Sequence, residues 1–339
     1  MLTCLDIDAS ALIADPSRGR LYAVVTGGAA EHANELVVID PERATVETSI
    51  VVGSDPDSLA LSYDATKLWV GLRGALAIRQ VDLTQSPPEP GATYVVPRAA
   101  SDVVDATYAG AMVALTGERD SVAVALQYED LSPSGAGVVL LDSGSPRAKR
   151  VAEYPGVSVL TAGPTGYLFT SDDQYQLLSI AVDANGLVDT RYKGLLPGGA
   201  FDLVYDDGFL FASNGRVFDV SSPEAPTLAG SFPNTGFIVS HSADSSVIML
   251  SNTNTVGTSP SSPIGAINTL ALRRFDRSTF EERSNVALDG QYLSIRDFVE
   301  PVPGIFAFVD WQPVSFGTPE TVRAAVVLVS VPEFAESAR

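Results

Sequence analysis

The feature that most constrains the fold is a β-hairpin pattern that recurs along the chain. Within residues 53–74, apolar side chains alternate with small or polar ones over residues 59–63, and a polar turn follows. Alternation resumes from Leu68 to Leu72. Two period-2 segments joined by a short polar turn are typical of a β-hairpin. The same pattern returns at intervals of about 40 to 55 residues, which is the spacing expected of propeller blades.

The repeats account for the whole chain of 339 residues. We predict an all-β fold, a seven-bladed β-propeller of four-stranded antiparallel blades in a single domain over residues 1–339. Helical periodicity is not convincing anywhere. The predicted blades cover about residues 10–52, 53–97, 108–155, 156–196, 197–233, 234–289, and 290–331 together with 2–8.

An aspartate lies at or just past the predicted third strand of six units. Such a side chain can accept a hydrogen bond from the backbone two residues further on, which fixes the next turn. We therefore interpret these six residues as structural. They are Asp40, Asp82, Asp142, Asp183, Asp219 and Asp276.

The last unit is one strand short, because Pro332 follows Val331 directly. Residues 2–8 precede the first hairpin and have strand character. A ring of blades leaves an unpaired edge unless its two ends join. We predict that the N-terminal strand completes the seventh blade and that residues 333–339 are a dispensable tail.

Two segments resemble known propeller repeats. VGSDPDSLALSYDATKLWVG, at residues 52–71, resembles the YVTN-type repeat, with Ala65 in place of the usual turn glycine and Trp69 in place of tyrosine. NGRVFDVSSPEAPTLAGSF, at residues 214–232, is similar to the related LVIVD repeat. The resemblance implies a propeller of the surface-layer type. It does not choose a function, because such families include secreted binding proteins and enzymes.

Composition excludes several classes of partner. The net charge is −20, from 21 basic and 41 acidic residues, which argues against nucleic acid and against anionic membrane surfaces. No apolar run approaches the roughly 18 residues of a membrane-spanning helix. Cys4 is the only cysteine, so an internal disulfide or a multi-cysteine metal site is impossible. We interpret Cys4 as a buried small side chain, with a lipid-modified cysteine as the alternative.

The long predicted connections fall on one face of the ring, and loops on a rigid scaffold commonly carry function. Binding residues are therefore expected in or near these connections. The residues are His32, Tyr128, Glu129, Asp130, Trp311 and Phe316. For the aromatic residues of this group, buried packing is the alternative.

Catalytic motifs are scarce. His32 and His241 are the only histidines, and we expect His32 to be solvated and His241 to be a packed or turn residue. The chain contains no GxSxG, P-loop or GxGxxG motif. Acidic residues near the inner ends of the blades could border the channel and suit Ca²⁺, with ordinary turn acids as the alternative. These are Asp55, Asp57, Asp102, Asp105 and Asp297.

Two functional hypotheses follow, and a cytoplasmic propeller is a third option if the native gene begins at Met1 with no leader upstream. The first is a non-catalytic binding or scaffold propeller, outside the cytoplasm (secreted, periplasmic or anchored at the cell surface, its leader absent from this chain), that holds a protein or glycan partner on the long-loop face. It requires no cofactor. The alternative is a propeller hydrolase of the lactonase type, with a divalent cation such as Ca²⁺ held by channel acids.

Overall fold

The computed structural model describes residues 1–98, 106–131, 134–151, 157–172, 174, 176–192, 194–253, 269–290, 292, 294–312 and 323–335. These residues form seven antiparallel sheets of four strands each. The innermost strands of consecutive sheets contact one another in a closed cycle. The prediction of a seven-bladed propeller with four-stranded blades is therefore confirmed.

In blades one to six the strands follow the chain from the inner to the outer edge, and in blade seven the outermost strand comes from the N-terminus. The first strand and blades one to three contain β1 (Leu2–Leu5), β2 (Ala9–Asp15), β3 (Arg20–Val25), β4 (Glu35–Asp40), β5 (Thr45–Val51), β6 (Pro56–Leu61), β7 (Lys67–Leu72), β8 (Ala77–Asp82), β9 (Glu89–Val95), β10 (Thr107–Ala114), β11 (Ser121–Tyr128), β12 (Gly135–Asp142) and β13 (Ser145–Pro146). Blades four to seven contain β14 (Val157–Ala162), β15 (Tyr167–Asp172), β16 (Leu177–Asp183), β17 (Gly186–Tyr192), β18 (Leu203–Asp206), β19 (Phe209–Ala212), β20 (Arg216–Asp219), β21 (Thr227–Ser231), β22 (Gly236–His241), β23 (Ser246–Asn252), β24 (Leu270–Asp276), β25 (Glu282–Ala287), β26 (Ile295–Val302), β27 (Ile305–Gln312) and β28 (Arg323–Ser330). A short helix, α1 (Pro332–Ala335), follows.

The hydrophobic core is divided among the blade interfaces. In the described residues each pair of consecutive blades shares one cluster of buried apolar side chains. The second strand of a blade is buried on both faces, as in β3 and β7, which explains its near-continuous apolar run. Trp69 of β7 is 1% exposed and packs between blades two and three. Each blade therefore depends on its neighbours for burial.

The predicted closure of the ring is confirmed. Strand β1 pairs with β28 in antiparallel register, from Leu2 opposite Val329 to Leu5 opposite Val326. The backbone N–H of Ser330 donates to the Met1 carbonyl at 2.8 Å and extends the same ladder. Just beyond β1, the Asp8 carboxylate accepts the N–H of Ala324 at 2.8 Å. The two ends of the chain thus share one sheet.

Three local expectations were wrong. Phe334 in the predicted tail is buried at 2% exposure. Cys4 is exposed, because it points outward from an outermost strand. The fourth strand of blade three is assigned at Ser145–Pro146, before the predicted start at residue 148, although Val151 still bridges to Val138 of β12. The hairpin turn there is only two residues long, and both Ser143 and Gly144 have positive φ, so the chain returns at once.

The strand-end aspartates fix turns as predicted in five of the six cases. Asp40, Asp82, Asp183, Asp219 and Asp276 each accept a backbone N–H from the residue two positions on. Asp142 differs, because its carboxylate accepts from the side chains of Ser121 and Arg147. The glycine turn after Asp142 needs no such support. Within the described ranges, no helix is long and apolar enough to cross a membrane.

Candidate functional site: the mouth of the central channel

The site lies where the inner strands begin, on the face that carries the connections between second and third strands and between blades. We call this the long-loop face and the opposite side the short-turn face. A cavity of about 420 Å³ opens there. Polar and charged side chains lie on one part of its wall, at Ser10, Asp57, Ser58, Arg296 and Asp297, and the rest of the wall is mainly apolar. We call this cavity the channel mouth.

A β-bulge brings the polar side chains to the channel mouth. The pairing of inner strands with their neighbours shifts by a residue near the start of β2, β6 and β26. The residues inside these shifts are Ser10, Asp57 and Asp297. A bulge inserts an extra residue into one strand and re-aims its side chain. Side chains that strict alternation would hide thus reach the channel wall.

Most polar groups at this level join neighbouring blades. The Ser10 hydroxyl donates to the carbonyl of Pro56 in the next blade at 2.6 Å. Asp297 Oδ2 accepts the N–H of Leu12 at 2.8 Å. Asp202 Oδ2 accepts the N–H of Ile238 at 2.9 Å. Burial raises the pKa of both carboxyls to about 6, and the donated N–H bonds act in the opposite direction. These groups therefore stabilise the ring by hydrogen bonds between neighbouring blades.

Asp57 occupies the same kind of bulge but does not form a hydrogen bond to the neighbouring blade. Its Oδ1 atom is buried and has no hydrogen-bond partner in the part of the chain that the structure describes. The bond from blade two to blade three is made instead by Ser58, whose hydroxyl donates to the Ala109 carbonyl at 3.0 Å. Burial raises the pKa of the Asp57 carboxyl to about 7, although Arg73 and Arg296 act against the shift. A buried carboxylate oxygen without a partner is costly.

Arg296 supplies the opposite charge at the channel mouth. Its guanidinium carbon lies 3.9 Å from the centre of the Trp311 ring, a cation–π contact that holds the side chain in place. This guanidinium forms no ion pair or hydrogen bond with a described residue, and interacts with Asp297 and Asp57 only through longer-range electrostatics. The five N–H donors of an arginine ordinarily find acceptors when the side chain is fixed. The Arg296 guanidinium is therefore fixed against Trp311 and has no hydrogen-bond acceptor among the described residues.

A second charged group extends the site outward. Arg73 lies over the ring of Tyr108, 4.6 Å from its centre. The Arg73 Nε atom is 3.6 Å from Glu129 Oε1. On the other side of the cavity, the rings of Phe201 and Phe237 meet edge to face at 4.8 Å. The channel mouth therefore combines charges of both signs with an aromatic wall.

The residues predicted from the sequence are distributed unevenly. Asp57 and Asp297 line the channel mouth, and Trp311 and Glu129 lie beside it through Arg296 and Arg73. Asp130 lies exposed in the turn after Glu129. Phe316, Asp102 and Asp105 lie outside the described residues.

Three further predicted residues have local structural contacts. Tyr128 is 6% exposed and packs in the interface of blades two and three. Asp55 accepts the N–H of Gly27 at 2.9 Å, and His32 pairs with Glu35 at 2.8 Å. His241 lies on the short-turn face, bonded to Glu300. Among the described side chains, no group of three or more acidic, histidine or cysteine residues has the arrangement of a metal site.

Sequence reasoning missed five residues of the site. None of them belongs to a motif, and only the fold brings them together. They are Arg73, Asp202, Phe201, Phe237 and Arg296. The one available signal was Arg296 beside Asp297 at the start of a predicted inner strand.

Replacing Asp57 with asparagine should stabilise the protein at about pH 8. Because the folded-state pKa of about 7 exceeds the ordinary value of 3.8, the folded protein binds this proton more tightly than the unfolded chain. Ionisation therefore costs stability as the pH rises from about 4 to 7. The full shift would correspond to about 4 kcal/mol at 1.36 kcal/mol per unit. Residual solvent contact reduces the expected gain to about 2 kcal/mol.

The measurement is urea unfolding of Asp57→Asn and wild type at about pH 8 and about pH 4. The difference should become small at the lower pH, where the folded carboxyl is protonated and the unfolded one is about half protonated. Asp219→Asn is the control of opposite sign, because hydrogen bonds from Ser221 lower the pKa of the Asp219 carboxyl. A loss of stability in Asp57→Asn at pH 8 would contradict this account of Asp57.

Comparison with known proteins defines the class. No protein family model matches the chain, and no curated protein matches it in sequence. Solved structures do match. The β-propeller domain of Cps50 (Swd1) from Myceliophteria thermophila is 11% identical with a TM-score of 0.64, over 98% of this chain and 100% of that one. The RRP9 WD40 repeats are 11% identical with a TM-score of 0.64, over 97% of each chain.

An enzyme is also among the similar structures. Dihydro-heme d1 dehydrogenase NirN is 16% identical with a TM-score of 0.56, over 96% of this chain and 64% of that chain. At such identities the likeness establishes the fold alone. The chain is thus a seven-bladed β-propeller with WD40 propellers among its structural neighbours. The closer assignment to YVTN-type or LVIVD repeats stays a prediction.

Proposed function

We propose that the protein is a non-catalytic binding propeller whose long-loop face holds a protein or glycan partner outside the cytoplasm. The observation that carries this proposal is the channel mouth, where Asp57 Oδ1 has no hydrogen-bond partner and Arg296 has no ion pair within the described residues, beside an aromatic wall. Unpaired charged groups at a pocket are more useful to a ligand than to the fold. The WD40 repeats among similar structures support a binding role.

The extracytoplasmic location rests on a different argument. The repeats at residues 52–71 and 214–232 resemble the YVTN-type and LVIVD repeats, and families of this type include surface-layer and secreted proteins. Protease treatment of intact cells of the source organism tests the location. Digestion of the protein while a cytoplasmic marker survives supports the proposal, and protection until the cells are lysed contradicts it.

The binding role is tested with a pair of charge-reversal variants. Arg73→Glu with Arg296→Glu changes the long-loop face, and Arg43→Glu changes the short-turn face, where the Arg43 side chain is 77% exposed. Each protein is immobilised and offered a glycan array and a panel of purified secreted proteins. We expect at least one ligand that wild type and Arg43→Glu bind equally and that the double variant binds at least about ten-fold more weakly.

Two outcomes would contradict the proposal. One is a ligand whose binding depends on Arg43 and not on the long-loop face. The other is turnover in a screen of lactones and esters that the double variant abolishes, which would favour a hydrolase. Melting temperatures of all three proteins show whether a loss of binding reflects a loss of folding.

A further inference from the structure

The inner strands offer an internal comparison that singles out Asp57. In β26 the bulged residue Asp297 accepts an N–H from Leu12 of the neighbouring inner strand. In β2 the bulged residue Ser10 donates to the next blade. The bulged residue of β6 makes no bond to β10, and its Oδ1 atom has no described partner. A hydrogen bond to a neighbouring blade accounts for the polar side chains of Ser10 and Asp297. No such bond accounts for the carboxylate of Asp57.

Arg296 is the complementary exception. Of the arginines at the long-loop face, Arg79 donates to the Val52 carbonyl at 2.9 Å, and Arg73 lies near Glu129. Arg296 stacks on the Trp311 ring. It interacts electrostatically with Asp297 and Asp57 but forms no hydrogen bond or ion pair with a described residue. Although Asp57 and Arg296 line the same cavity, they form no ion pair with each other. The cavity therefore holds one unused acceptor and one unused set of donors, separated from each other.

The rest of the cavity wall is apolar. Phe201 and Phe237 pack edge to face, and Met112 and Ile295 complete this side. A cavity of about 420 Å³ is within the range of small-ligand sites, about 300 to 1,000 Å³. An apolar wall beside two opposite charges suits a ligand that has an apolar body and both an ammonium and a carboxylate group.

We propose that the channel mouth binds a small hydrophobic zwitterion, an α-amino acid or a short peptide. Its ammonium group donates to Asp57, its carboxylate accepts from Arg296, and its apolar side chain packs against Phe201 and Phe237. Trp311 is a positioning residue, because it acts through Arg296. The proposal depends on the proposed function only in placing binding on the long-loop face, and the ligand is distinct from the protein or glycan partner.

Electrostatics supports this ligand over singly charged ones. The net charge of −20 repels a simple anion from the channel mouth. A simple cation would pair with Asp57 but leave the donors of Arg296 without an acceptor. A zwitterion satisfies both groups without changing the net charge of the site. Each hydrogen bond to a charged group contributes enough to change affinity about ten-fold or more.

The test uses four ligands that differ in charge. L-leucine has both charges, N-acetyl-L-leucine has only the carboxylate, L-leucinamide has only the ammonium, and the dipeptide Leu-Leu places the two charges further apart. Binding to the full chain is measured by calorimetry at about pH 7, where the α-amino groups of the amide and the dipeptide are mostly protonated. Tryptophan fluorescence is a second readout. Wild type should bind leucine or the dipeptide at least about ten-fold more tightly than either singly charged ligand. The better of the two shows whether the source is an amino acid or a peptide.

Variants assign each charge to its residue. Asp57→Asn should weaken binding of the zwitterion and of the amide but not of the N-acetyl ligand. Arg296→Gln should weaken binding of the zwitterion and of the N-acetyl ligand but not of the amide. Asp55→Asn is the matched control, because Gly27 and Ser54 already use its carboxylate oxygens, and it should leave the ligand order unchanged. If a variant does not fold, the relative affinities of the four ligands for wild type still test the proposal.

Three results would overturn the proposal. The first is an absence of zwitterion binding at millimolar concentration, and the second is equal affinity for the amide and the zwitterion. The third is a loss of affinity in the variants that is the same for all ligands, whatever their charge. The partner screen described above is independent of these outcomes. A protein or glycan ligand found without zwitterion binding refutes only this inference, and the reverse result refutes only the proposed partner.

Discussion

Removing residues 1–5 should lower the melting temperature by several degrees and cause aggregation. The deletion removes β1, whose four residues all pair with β28. It also exposes the outer edge of β28, where Val326, Val327 and Val329 are almost fully buried. An unpaired apolar edge strand is a template for pairing with another chain. Several backbone hydrogen bonds at about 1 kcal/mol each give a loss of roughly 5 to 10 °C.

Differential scanning calorimetry and size-exclusion chromatography measure the two effects. Cys4→Ser is the matched control, because this side chain is exposed on the same strand and its replacement leaves the backbone ladder intact. A deletion that melts like wild type and stays monodisperse would show that the ring does not depend on β1.

Replacing Phe334 with alanine should destabilise the protein by about 3 kcal/mol, as large-to-small changes of buried aromatic residues do. Phe334 is 2% exposed. Its ring meets that of Phe306 edge to face at 6.1 Å, and the Arg274 guanidinium lies 6.0 Å from it. The side chain therefore belongs to the cluster shared by blades six and seven.

The measurement is the urea midpoint of Phe334→Ala compared with that of Glu333→Ala. Glu333 is exposed in the same helix, so its replacement should be nearly neutral. Truncation after Ala335 retains Phe334 and should be milder than truncation after Val331. Equal midpoints for Phe334→Ala and Glu333→Ala would mean that α1 does not contribute to the stability of the ring.

The closure of the ring was predictable, whereas the role of α1 was not. The count of strands in the last unit left one position empty, and residues 2–8 had the alternation to fill it. For residues 332–335 the sequence offers only a proline, a glutamate and a single aromatic side chain. Four residues show no periodicity, so their burial depends on a cavity that Phe306 and the neighbouring blades create.

The turns likewise include some that the sequence predicts and one that it does not. Asp219 and Asp276 fix their turns by bonding to a backbone N–H two residues away, which is a local interaction that the sequence displays. Asp142 has the same position in its blade, but its carboxylate bonds to Ser121 and Arg147. The partner from the adjacent strand and the glycine turn outweigh the local preference there.

The sequence by itself determined the blades. Alternation, turn residues and strand-end aspartates are properties of neighbouring residues, so the number of repeats, their class and the joining of the two ends could be inferred from them. Only the tertiary structure decided the channel mouth. Asp57, Phe201 and Arg296 are far apart in the chain, and they meet because the ring closes and because bulges re-aim their strands. A bulge depends on how one strand registers against another, and no local pattern encodes that register.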